Sequence, residues 1–531
     1  MPPTPHWRAL ARGVLTLGSL VPVLTAQPNP PGRPLAIEDW YRIRTLGAPA
    51  LSPDGKWIAF TLSTRVESSN ADSNEVWLVA ADGAGPARRV SPPGMLAGSP
   101  EWLGDGRLEF QGAGRRWSLP PGWPDSLSEG RLEGPPGFRS RGNLTSPDNK
   151  WIASVRAMAP PAQPRVYASD FERRHEERFR GVEFDWLEFQ RDGAPFPLPN
   201  AADPAVNPPQ EIFLTAVGDS GARQLTRIGF RPQGLQWSPD GSALLFTADS
   251  SYRDERRYEH NEIWSVTLDG TVRRLSPELD VNYAGARYSP DGRWILYTRR
   301  LSTDAVIARR MDNAGPTDLA VLPAAGGPER ILTAGWDYLP LGERWSPDGK
   351  YVYFTGSVGG TSHLFRVKPD GGPVEQLTSG QRRLGAFSFD RAMSRMAYLV
   401  GVMESPSELW SADLDGTHER QLTHLQDDLL REVALDKPQR LLFKSKDGTE
   451  IEGWLYHPSN YRPGAEPYPL LVFSHGGPHS AIGYGFDFKL QYFAANGYFV
   501  LTTNFRSSTG YGEKFLWATW GGWGNLDFED V

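Results

Sequence analysis

The chain has 531 residues, 39% of them hydrophobic and 22% charged, with a formal net charge of −7 and no cysteine. The missing cysteines exclude disulfides, thiolate nucleophiles and cysteine metal sites, and the negative balance argues against nucleic acid or an anionic membrane as main partner. A chain this long calls for two or more domains, and its 56 glycines, 47 prolines and 19 tryptophans favour many turns between half-buried strands.

In chain order, His6, Arg8 and Arg12 precede an apolar run over residues 13–24 that ends near Thr25-Ala26-Gln27. This pattern predicts a signal peptide over residues 1–26 and export to the periplasm or the extracellular space. No later segment approaches the ~20 apolar residues of a bilayer span, so none is expected after signal cleavage. Residues 27–47 follow as a linker and an N-terminal helix. The proline-rich stretch 28–34 cannot be helical, and residues 37–46 predict one short helix with Glu38 and Asp39 in its first turn.

A repeat then begins. Ser52-Pro-Asp-Gly-Lys-Trp-Ile-Ala-Phe60 returns in related form at Ser146, Ser238, Ser289 and Ser346, and degenerate copies start at Trp102 and Ser388, making seven units. Ser-Pro-Asp-Gly is turn chemistry, because proline presets φ and glycine accepts positive φ. Apolar strands follow each turn, then a segment such as Glu262-Ile-Trp-Ser-Val266, then a short Arg-Gln-Leu-Thr-like strand. Four strands in units of ~40–50 residues predict a seven-bladed β-propeller over residues 48–435. The interval from Ser146 to Ser238 is nearly twice the period, and the excess, about residues 160–209, is expected to be an insertion. Its charged stretch, residues 171–180, suits a solvated hairpin or an arm that reaches a substrate, with Asp185 or Glu188 facing a peptide amine.

Residues 436–531 change character. Alternating strands flank Asp447-Gly448, a hairpin signal. The apolar run 470–473 suits a strand covered on both faces, and it leads into Ser474-His475-Gly476-Gly477-Pro478. This loop is either a plain glycine turn or one that aims backbone N–H groups at a developing oxyanion, as His-Gly-Gly loops do in α/β-hydrolases. Residues 486–496 predict a helix stopped by Gly497. Residues 498–502 predict a second apolar strand, so that strand, helix and strand make a parallel βαβ unit. The nine histidines show no metal-ligand spacing, and neither a metal nor a cofactor is expected.

The seven-unit repeat, His475-Gly-Gly-Pro478 and Asn504-Phe-Arg-Ser-Ser-Thr-Gly-Tyr-Gly512 together resemble the prolyl oligopeptidase family of serine peptidases, in its acylaminoacyl-peptidase and dipeptidyl-peptidase-like branch. The resemblance implies an all-β seven-bladed propeller followed by the N-terminal part of an α/β-hydrolase domain, with a peptide substrate cleaved between them. It implies an oxyanion N–H from Gly477 in the loop of His475 and Gly476, and it makes Arg506 a substrate-binding candidate. The segment Trp520-Gly-Gly-Trp-Gly-Asn-Leu-Asp-Phe-Glu-Asp530 looks like the one that leads toward the nucleophile in the family. Gly-x-Ser-x-Gly occurs nowhere in the sequence. In the family that elbow, the acid and the histidine all come later, so the expectation is a chain truncated before its catalytic serine and inactive by itself. Ser474 beside His475 is no substitute, since adjacent strand residues point to opposite faces. Two other readings stay open: a binding propeller of the TolB type with a hydrolase remnant, and an esterase on the same fold. An oligomer of the full-length protein is compatible with all three.

Overall fold

The computed structural model describes residues 32–121, 144–158, 166–179, 207–252, 257–258, 260–311, 315–464, 467–477 and 479–531. The expected signal peptide, Asp185, Glu188 and Pro478 lie outside the described residues, as does most of the 160–209 insertion. No helix among the described residues is long and apolar enough to cross a membrane.

Seven units of antiparallel strands follow one another along the chain in a propeller-like repeat, the sixth and seventh joined into one eight-stranded sheet by a parallel bridge between Ser362 and Arg383. Five of them are built on the turn chemistry of Ser-Pro-Asp-Gly or its Asn variant. In the first, Ser52 Oγ donates to Asp54 Oδ1 at 2.6 Å and accepts from Trp57 N at 2.9 Å, while Gly55 N donates to Ser52 O. The same three bonds recur at Ser146, Ser238, Ser289 and Ser346. Asn149 replaces the glycine once and takes the left-handed conformation, φ 56°, that the turn requires. The turn therefore closes on its own atoms and hands the chain to an apolar strand, such as Trp57–Val66 or Val352–Val358.

Neighbouring sheets bury shared apolar faces. Leu245 and Ile263 of the fourth pack with Tyr283, Ile295 and Tyr297 of the fifth. The first sheet packs on the seventh through Leu51, Ile58 and Phe60 against Ala397 and Leu409. Hydrogen bonds reinforce that contact, from Ser411 Oγ to Ala81 O at 2.7 Å and from Leu51 N to Ser388 Oγ at 2.9 Å. The second and third sheets are connected through residues 122–143, outside the described residues.

Three expectations need correction here. Residues 37–46 are not one helix. A 3-10 turn spans Ile37–Arg42, and Arg44–Leu46 is a strand of the first sheet, paired with residues 62–64. Asp39 curtails the helix by turning back to accept from Ala36 N and from Arg33 and Arg42. The charged stretch is not a hairpin where it is described, because Asp170–Phe179 is an α-helix. Its charges sit three and four residues apart, so Arg173 pairs with Asp170 and Glu177, as helical geometry favours.

The third correction concerns the C-terminal region. It contains strands β1 (Gln439–Lys444), β2 (Glu450–Tyr456), β3 (Leu470–Ser474) and β4 (Phe499–Asn504), with helices α1 (Phe488–Ala495), α2 (Glu513–Leu516) and α3 (Leu526–Asp530). The sheet order is β1-β2-β4-β3, with β3 and β4 parallel as expected for βαβ and the other pairs antiparallel. β3 is the edge strand, and it is not covered on both faces: Leu470 and Val472 remain 54% and 48% exposed, while Leu471 and Phe473 turn inward. Asp487 caps α1 by accepting from Lys489 N and Leu490 N. That fixes the helix over a core of Trp454, Tyr456, Leu490, Ala494 and Val500.

Candidate active site

The carboxyl ends of parallel strands are where open α/β sheets gather their functional loops. Here the loop after β3, beginning at His475, and the loop after β4, beginning at Phe505, lie side by side. Asn504 at the end of β4 joins them: Oδ1 accepts from Ile482 N at 2.9 Å and Nδ2 donates to Ile482 O at 2.7 Å. Thr509 N donates to Ser480 O at 2.9 Å.

His475 anchors the start of the first loop. Its ring stacks on Phe505, with centroids 4.5 Å apart, and burial pushes its pKa down, so the ring is neutral near pH 7. Nδ1 lies 2.8 Å from Gly476 O, which can only accept, so Nδ1 carries the proton. Nε2 lies 2.8 Å from Ser508 Oγ. This is a serine–histidine pair that the sequence did not disclose, since the two residues are 33 positions apart. Ser508 has no exposed surface and its Oγ also touches Phe505 O at 2.6 Å. No substrate reaches it, so the pair holds the loop rather than acting as a nucleophile and base. The neighbouring Ser507 holds a positive φ of 87°, a strained conformation for a side-chain-bearing residue, and bonds to Thr519 through its hydroxyl.

Held this way, Gly476 and Gly477 are exposed. Among the described residues, neither of their N–H groups has a hydrogen-bond acceptor. A Cβ at Gly477 would lie 3.0 Å from His479 N and 3.5 Å from Ser480 N, so the loop clusters several backbone N–H groups in a small space. Such clusters favour negative charge.

Arg506 is placed elsewhere. Its backbone N and Nε donate to Asp530 Oδ2 at 2.8 and 2.9 Å, Nη2 reaches Asp530 Oδ1 at 2.7 Å, and Nη1 pairs with Asp447. The side chain is 5% exposed. With its donors turned toward these partners it ties the β1–β2 turn to α3, and the expectation that it binds substrate does not fit this environment.

The repeat region reaches into the same loops. The turn between Val352–Val358 and Thr361–Val367 in the sixth sheet carries Gly359 and Gly360. Gly359 N donates to Gly510 O at 2.6 Å, and Tyr484 N donates to Gly360 O at 2.9 Å. Gly360 N donates to the buried Glu452 Oε2 at 3.1 Å, and the same carboxylate accepts from Arg440 and Tyr511. Asp337, before the sixth sheet, accepts from Glu513 N at 3.0 Å.

Comparison with known proteins agrees with this arrangement. A sequence profile described as Prolyl oligopeptidase family matches residues 484–531. Over this C-terminal stretch the chain is similar to the prolyl oligopeptidase family. Similar proteins include Dipeptidyl-peptidase 5 of Porphyromonas gingivalis, 21% identical over 94% of this chain and 72% of that protein. The Uncharacterized peptidase YuxL of Bacillus subtilis is 24% identical over 60% of this chain, and the match covers 62% of its length. Among solved structures, the acylaminoacyl peptidase of Pyrococcus horikoshii superposes with a TM-score of 0.63 at 19% identity, covering 94% of this chain and 71% of that one. A puromycin hydrolase gives 0.55 at 18% identity over 91% of this chain and 70% of its own. These likenesses support the fold: a propeller-like region and the start of an α/β domain.

Proposed function

We propose that this chain supplies the propeller and the oxyanion loop of a serine peptidase that cleaves short peptides by acyl transfer between the two regions. The observation that carries the reading is the Gly477 N–H, exposed and without an acceptor among the described residues, on a loop pinned by His475, Ser508 and Asn504. In the reaction a serine hydroxyl attacks the scissile carbonyl, a histidine takes its proton, and the tetrahedral oxyanion is held by backbone donors. Gly477 N–H is one of those donors in this reading. The reading assigns none of the described residues to the roles of serine, base or acid.

The finer readings belong to the same proposal. The seven sheet units form one closed seven-bladed ring that restricts entry to short peptides, and the packing of the first sheet on the seventh supports this. Asp185 and Glu188 face a substrate amine, and the protein is exported. The test uses the full-length gene product with N-acyl-aminoacyl and dipeptidyl p-nitroanilides. Gly477→Pro removes the N–H and is expected to lower kcat by roughly 10²–10³. An unchanged kcat would remove Gly477 from the oxyanion role, and no hydrolysis of either substrate class by the parent would overturn the peptidase reading.

A further inference from the structure

Arg383 opens the innermost strand of the seventh sheet, Arg383–Phe389, and reaches across to the loop that follows β3. Its Nη1 donates to Ala481 O at 3.3 Å, and its Cδ lies close to the Gly485 position. Ala481 is four residues past Gly477, the candidate oxyanion donor. The guanidinium therefore stands between the sheets and the catalytic-side loop, where a substrate would lie.

Nearby cations have acidic partners: Arg382 pairs with Glu419 at 2.9 Å, Arg440 with Glu452, and Arg506 with Asp530. Among the described residues Arg383 has no carboxylate within ion-pair distance. Solvent reaches the side chain, yet crowding by protein pulls its pKa below the ordinary arginine value. Arg344, on the innermost strand of the adjacent sixth sheet, Leu341–Trp345, has the same character. It lies over the Phe389 ring at 5.1 Å and likewise has no carboxylate partner among the described residues. Two exposed guanidinium groups at the starts of neighbouring units, each without a carboxylate partner among the described residues, favour an anion. A planar fork matches a carboxylate in two parallel hydrogen bonds.

We propose that Arg383 is a specificity-determining residue that receives the free C-terminal carboxylate of a short peptide. This rests on the peptidase reading above. The carboxylate sets how far the peptide extends from the oxyanion loop and so selects for short substrates with a free C-terminus.

The test separates this from the peptidase reading. Calorimetry measures binding of Ala-Phe-Ala, its C-terminal amide, and the amide Ala-Glu-Ala to the full-length protein. Charge-assisted bonds to a partly desolvated arginine predict that the free acid binds at least about tenfold tighter than either amide. Arg383→Gln is expected to abolish that preference, and Arg383→Lys to retain part of it. Equal binding of acid and amide by the parent overturns the proposal without reference to any variant. So does a preference that survives Arg383→Gln, a Glu-containing amide that binds as well as the free acid, or no saturable binding of any of the three. Hydrolysis is scored separately. Cleavage without carboxylate preference leaves the peptidase reading and removes this one, and preference without cleavage does the reverse.

Discussion

Gly360→Ala probes the joint between the repeat region and the C-terminal sheet. The backbone at Gly360 is not in the left-handed region, so alanine meets no conformational barrier. Its Cβ, however, would stand 2.5 Å from Trp454 Cζ2, 2.6 Å from Cη2 and 3.2 Å from Gly483 Cα. Trp454 cannot step aside. It is fully buried on β2, packed with Tyr456, Leu490 and Val500, and its ring meets Tyr484 edge-on at 5.7 Å. Overpacking of this kind costs about 1–3 kcal/mol. Replacing glycine recovers about 0.4–1 kcal/mol by restricting the unfolded chain. Taking the middle of each range, the net expectation is a loss of about 1.3 kcal/mol. Urea denaturation followed by far-UV circular dichroism gives the shift. Hydrogen exchange at residues 358–361 and 481–485 shows whether the loss is local to the joint. Trp454→Phe removes the ring atoms that clash, so the double variant should be more stable than the two single losses predict, by about 0.5–3 kcal/mol. A Gly360→Ala protein as stable as the parent, or strict additivity in the double variant, would refute the steric account.

Asp530→Asn strips the charge partner from Arg506 in a pair that is 5% and 0% exposed, and breaking such a pair costs about 3 kcal/mol. A shift below about 1 kcal/mol in the same urea experiment would mean that Asp447 alone suffices for Arg506. Asp39 supplies the pH dependence. Bonding to Arg33, with help from Ala36 N and Arg42, lowers its pKa from 3.8 to about 2. The folded value lies below the unfolded one, so its contribution, on the order of 2 kcal/mol, is complete above about pH 4 and drains as pH falls through about 2. Asp39→Asn should therefore lower stability at neutral pH and flatten the acid limb between pH 4 and 2. An unchanged limb would show that the arginines hold Asp39 less firmly than their geometry implies.

The features legible in the sequence were those whose hydrogen bonds close locally. Ser52, Asp54 and Gly55 complete their turn within five residues, so five copies of the motif announced five near-identical structures. The helix that ends before Gly497 and the parallel pairing of β3 with β4 follow from the strand–helix–strand order of residues 470–502. What stayed hidden depends on distant partners. Leu470–Ser474 has the composition of a buried parallel strand, but burial is decided by what packs on it, and at this edge one face of Leu470 and Val472 meets solvent. Arg506 lies within the loop motif and looks available, yet it is claimed by Asp447 and Asp530, 59 and 24 residues away. Arg383 carries no motif at all. Its interest comes from Glu419 pairing with its neighbour Arg382 and leaving it without an acid.

The two loops of the candidate site are not positioned by the C-terminal sheet alone. Gly359 bonds to Gly510, Gly360 to Tyr484 and Glu452, and Asp337 to Glu513, so the sixth sheet fastens both loops from the repeat side. Glycine at 359 and 360 permits backbone to approach backbone there, and Gly483 is equally crowded against Gly360 from the other side. A displacement of the sixth sheet therefore reaches the Ile482–Asn504 bonds without passing through any flexible side chain. Through them it reaches His475, Ser508 and the Gly477 N–H. The inner strand of the seventh sheet touches the same loop through Arg383 and Ala481. A peptide carboxylate drawn to Arg383 would thus bear on the loop that aims the oxyanion donor. Recognition at the far end of a short peptide and alignment of its carbonyl would then be one event, with residues 480–485 as the shared element.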